Sequence, residues 1–91
     1  MPKMRPERVE RIENAREVLS GVPIGERGAQ AWFLDQVVRI QDWAPGKATI
    51  HRYFRGGEDL SVEAIRVFDT TLVVLEEEAR QLLRERLRSF D

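Results

Sequence analysis

Six apolar residues in the second half of the chain, Ile65, Phe68, Leu72, Leu75, Ala79 and Leu82, recur at alternating steps of three and four. That spacing gathers them on one stripe of an α-helix but scatters them over both faces of a strand, so the segment buries them together only as a helix. Asp59 or Ser61 stands where a cap is needed, which predicts a long helix over 61–89. The steps are also those of a coiled-coil seam. Over so short a stretch, packing on the chain's own domain satisfies them equally well, with the far end left to pair with a partner. The sequence leaves open whether Asp69-Thr70-Thr71 divides this helix in two.

The remaining segments have the same character. Val9, Ile12, Ala15 and Leu19 form one apolar face and predict a helix over 6–20, with Pro6 in the first turn, where its missing N–H costs nothing. Gly21 and Pro23 end it. The connection Gly21-Val22-Pro23-Ile24-Gly25 lacks the glycine spacing and the Lys-Ser/Thr ending of a phosphate loop. A second helix is expected over 27–42, burying Phe33, Val37 and Ile40 with Ala29 and Leu34 alongside. Trp32 and Trp43 read as core or rim residues. Ala44-Pro45-Gly46 is the clearest turn, and a short helix over 47–55 follows it and stops at Gly56-Gly57. With no repeat, linker or low-complexity tract, the expectation is one domain over 1–91. It is all-α, a small helix-turn-helix domain of four to five helices with a long C-terminal helix.

Composition removes several kinds of chemistry. The chain has no cysteine, hence no disulfide and no thiolate metal site, and His51 is its only histidine. Its serines, Ser20, Ser61 and Ser89, fall at predicted helix ends, where capping accounts for them. Glu76-Glu77-Glu78 wraps around a helix and does not converge on a cleft. The expectation is therefore a protein that is not an enzyme and has no metal, no cofactor and no small-molecule substrate. No apolar run reaches the roughly 20 residues of a membrane span. Met1 to Pro6 leads directly into charged residues, without a secretory apolar stretch, so a cytoplasmic location is expected. Fifteen Lys and Arg against sixteen Asp and Glu give a net charge of -1, so any attraction to nucleic acid must come from a local patch.

Such a patch lies between Arg39 and Arg55, where Arg39, Lys47, Arg52 and Arg55 face only Asp42. With Ile50, Tyr53 and Phe54 turned inward, the 47–55 helix exposes Lys47, Ala48, His51, Arg52 and Arg55. The run Thr49-Ile50-His51-Arg52-Tyr53-Phe54-Arg55-Gly56 resembles the recognition helix of the Cro and phage-repressor helix-turn-helix superfamily. Gln30-Ala31-Trp32-Phe33-Leu34 is similar to that superfamily's opening helix. The resemblance implies a small phage or mobile-element regulator that binds double-stranded DNA as a homodimer. Gln30, Lys47, Ala48, Thr49, His51, Arg52 and Arg55 would then meet the DNA, with Gln30 near a phosphate and Arg52 reading a guanine. Leu75, Leu82, Leu83 and Leu87 are the expected dimerisation residues, and Phe90 adds to the apolar end they form. The low net charge, the long stretch from Arg39 to Gly46 and the acidic pair Glu58-Asp59 suit an alternative: the same scaffold docking on a host protein and modulating it.

Overall fold

The computed structural model describes residues 7–89 and arranges them as four helices: α1 (Glu7–Ser20), α2 (Ala29–Gln41), α3 (Lys47–Phe54) and α4 (Val62–Arg88). Among the described residues there is no strand. The expected starting residue Pro6, the leading segment Met1 to Pro6 and the apolar Phe90 lie outside the described residues.

Helix boundaries follow local chemistry. α2 begins two residues later than expected, because Gly28 stands at φ 98, a left-handed conformation that cannot continue into helix. It ends at Gln41, where Asp42 adopts φ 54 and donates its N–H back to the carbonyl of Val38. The expected extension through Asp42 is thus a C-cap. Arg55 likewise caps α3 and does not extend it. Ser61, not Asp59, starts α4, its hydroxyl accepting from the Ala64 N–H at 3.1 Å. α4 runs unbroken through Asp69-Thr70-Thr71. Thr71 is fully buried there, and its hydroxyl donates to the carbonyl of Val67 at 2.9 Å while accepting from the Gln41 amide at 3.1 Å.

The core is aromatic at its centre. Phe33 of α2 stacks on Tyr53 of α3 at 5.6 Å, and both meet Phe68 of α4. Phe54 adds an edge contact to Phe33. Trp43, in the connection between α2 and α3, stacks on Phe68 at 5.8 Å with 44% of its surface still exposed. Each well-placed ring pair contributes about 0.5–1.5 kcal/mol beyond simple burial. Val9, Ile12 and Ala15 of α1 and Leu72 and Leu75 of α4 complete the interior.

The helical stripe of α4 belongs to this interior. Phe68, Leu72, Leu75 and Ala79 are buried against the chain's own helices, and Ile65 and Leu82 are half-buried. Leu75 is therefore not a dimerisation residue. At 0% exposure it is core, because α1 lies along that stripe and occupies the place a partner helix would take. Arg8 pairs with Asp69, Arg11 with Glu76, and Arg86 donates to the carbonyl of Val18. Residue numbers rise together on both helices, so α1 and α4 run parallel. No described helix is long and apolar enough to cross a membrane.

Candidate nucleic-acid interface

α3 is short, and its position depends on the elements around it. Ile50, Tyr53 and Phe54 anchor one side in the aromatic core. At its start Gly46 is extended, at φ -68 and ψ 154, and its carbonyl accepts from the N–H groups of Thr49 and Ile50. At its end Gly56 and Gly57 take φ 123 and 76, and the Gly57 N–H closes on the Arg52 carbonyl at 2.9 Å. Arg8 of α1 holds this terminus, donating from Nη1 to the Gly56 carbonyl at 3.1 Å. The same guanidinium lies 5.1 Å from the Tyr53 ring centre and pairs with Asp69 of α4 at 3.2 Å. The Tyr53 hydroxyl donates to Asp69 Oδ1. Burial pushes the Tyr53 phenol well above its ordinary titration range, and the hydrogen bond to Asp69 adds to the shift.

The opposite side of α3 faces solvent. Lys47, His51 and Arg55 lie at successive four-residue steps, with Ala48 and Arg52 forming an adjacent row, and all five are exposed. Thr49 is half-buried and sits at the flank of the helix. Gln30, at the second position of α2, is half-buried and places its Nε2 3.3 Å from Nδ1 of His51. The structure thus joins Gln30 to the exposed side of α3 through His51. The side chains of Lys47, Arg52 and Arg55 have no hydrogen-bond or ion-pair partner among the described residues.

A groove of about 380 Å³ runs between α2 and α3, floored by Ala31, Leu34 and Ile50 and edged by Gln30, Asp35 and Lys47. Glu58 and Asp59 are exposed just beyond α3. The long stretch from Arg39 to Gly46 is divided between the last turn of α2, which reaches Gln41, and a connection over residues 42–46. Trp43, in that connection, lies at the rim of the core with its ring on Phe68.

The expected dimerisation residues divide. Leu83 and Leu87 are 43% and 69% exposed on the distal end of α4, whereas half-buried Leu82 lines a groove with Leu19 and Trp32. Ser20, assigned to capping, instead accepts from Trp32 Nε1 at 3.0 Å and ties α1 to α2.

Two groups of positioning residues carry no signal in the sequence. Glu13, buried on α1, accepts from the Gly25 N–H at 2.7 Å, and Arg16 donates to the carbonyls of Glu26 and Arg27. Together they fix the segment that leads into α2. The Arg8–Tyr53–Asp69 cluster fixes α3, yet its members come from three different helices.

Comparison with family models, with curated proteins and with solved structures returned no match.

Proposed function

We propose that the chain is a sequence-specific DNA-binding transcriptional regulator, of the phage or mobile-element type suggested by the Thr49–Gly56 pattern. It enters the major groove with α3 and acts as a homodimer. The observation that carries this reading is the state of the charges. Arg8, Arg11, Arg39 and Arg80 are engaged by carboxylates, and Arg16 by backbone carbonyls. Lys47, Arg52 and Arg55 stand unpartnered on one side of one short helix. Of the other described cations, Arg86 reaches the Val18 carbonyl and Arg84 the Gln81 side chain, while Arg27, Arg66 and Arg88 lie on a loop and at the two ends of α4. An exposed helix of this kind fits a groove about 12 Å wide, and an unpaired Arg offers two parallel donors to guanine O6 and N7.

Selection from a pool of randomised duplexes tests the reading. Wild type enriches a short motif containing a guanine, and Arg52→Ala loses the preference at that position. Recovery of unenriched DNA by wild type contradicts it. The dimer rests on Leu83 and Leu87, exposed on the C-terminal part of α4. Light scattering then gives twice the monomer mass for wild type and the monomer mass for Leu87→Glu; a monomeric wild type at high concentration removes this part.

A second reading takes the domain as a docking module for a host protein. The exposed Glu58 and Asp59 beside α3 favour it, since a phosphate backbone repels both.

A further inference from the structure

The hydrogen bond between Gln30 and His51 joins the first turn of α2 to the exposed row of α3. A neutral imidazole has one N–H and one bare nitrogen, and the partner of one ring nitrogen decides what the other presents. Here the amide Nε2 of Gln30 faces His51 Nδ1 at 3.3 Å. An amide nitrogen only donates, so this contact is a hydrogen bond in the tautomer that leaves Nδ1 bare and carries the proton on Nε2. His51 is exposed, with Lys47 one turn before it and Arg55 one turn after.

We propose that Gln30 is a positioning residue that fixes the tautomer of His51, so that α3 presents an Nε2–H donor and selects a base edge that offers an acceptor. The choice of base rests on the DNA-binding reading above; the tautomer does not. In the major groove, purine N7, guanine O6 and thymine O4 accept, whereas the exocyclic amines of adenine and cytosine donate. A donor at His51 therefore favours the former and rejects a cytosine amine. It also complements Arg52, whose guanidinium likewise only donates. The free face of α3 thus offers donors throughout and selects runs of acceptors.

Gln30→Glu separates this from a merely structural contact. A carboxylate only accepts, so it draws the proton to His51 Nδ1 and leaves Nε2 as an outward acceptor. Gln30→Met keeps the length and removes the donor. Long-range proton–nitrogen NMR correlations of the free protein at about pH 9, where imidazole is neutral, report the tautomer directly. The expected result is an Nε2–H form in wild type and a shift of about fivefold towards Nδ1–H in Gln30→Glu, as one hydrogen bond provides. Gln30→Met falls between them. Equal tautomer populations in all three proteins overturn the proposal. So does an Nδ1–H form in wild type. Duplex selection is the second arm: Gln30→Glu moves the preferred base at one position towards cytosine, whose major-groove edge offers only a donor. A shifted tautomer with an unchanged base preference refutes the specificity half. A shifted tautomer in a protein that binds no DNA refutes the DNA-binding reading and leaves the positioning role standing.

Discussion

Arg11 on α1 and Arg52 on α3 are the same residue in opposite circumstances. Arg11 grips both carboxylate oxygens of Glu76 across the α1–α4 interface, and that bond raises its own affinity for its proton while lowering that of Glu76. Arg52 is exposed and engages no carboxylate. The contrast extends to the regions around them. Between α1 and α4, cations are used within the molecule, alongside a stripe of buried aliphatic residues. On α3, cations are displayed on a scaffold that other helices hold still. A net charge of -1 therefore says little about what the chain can bind, because its acidic and basic groups are not evenly paired.

The comparison breaks most severely where both regions share a residue. Phe68 touches Phe33, Tyr53 and Trp43, so Phe68→Ala removes the support of α3 together with the centre of the core. It should cost about 3–5 kcal/mol in denaturant unfolding and abolish ligand binding with it. Next comes the division within α4. Leu75→Ala, at a fully buried site, should cost about 2–5 kcal/mol, whereas Leu87→Ala on the exposed end should stay within about 0.5 kcal/mol for the monomer.

This division marks what the sequence could and could not reveal. The three-and-four periodicity of Ile65 to Leu82 identified the helix and its buried stripe correctly, since periodicity is a local property. It could not say whether the stripe meets a partner or the chain's own α1, because both bury the same residues. Leu75 was misassigned for that reason. On α3 the inward set Ile50, Tyr53 and Phe54 and the outward set Lys47, His51, Arg52 and Arg55 were both legible from helical spacing. The clamps were not. Arg8, Tyr53 and Asp69 lie far apart in sequence, and nothing near Arg8 distinguishes it from any other helix-surface arginine. Gln30 was singled out through resemblance, but its partner His51 appears only once α2 and α3 pack together.

The smaller predictions sharpen the contrast. Arg52→Ala should weaken specific binding by about 1–3 kcal/mol while leaving unfolding stability within about 0.5 kcal/mol. Arg11→Gln should do the reverse, lowering stability by up to about 1 kcal/mol at neutral pH with binding unchanged. Its effect depends on pH with a definite sign. Arg11 holds the Glu76 carboxyl below its ordinary value of 4.5, so the contribution is present above that value and is lost as pH falls through the lowered one. Unfolding curves of wild type and Arg11→Gln should therefore differ at neutral pH and converge in acid, once Glu76 is protonated in both folded and unfolded chains. A difference that persists in acid would mean that Arg11 acts through packing and not through its pair with Glu76.

The central claim is that α3 displays its cations to phosphates and bases. Its most direct test is the salt dependence of duplex binding in wild type and in a variant with Lys47, Arg52 and Arg55 all changed to Gln, with Arg80→Gln as control. Each phosphate contact contributes about 0.9 to the slope of log affinity against log salt. The account predicts that the slope falls by about 2–3 in the triple variant and stays unchanged in Arg80→Gln. Equal slopes in all three proteins, or a wild type whose DNA affinity does not respond to salt, would contradict it.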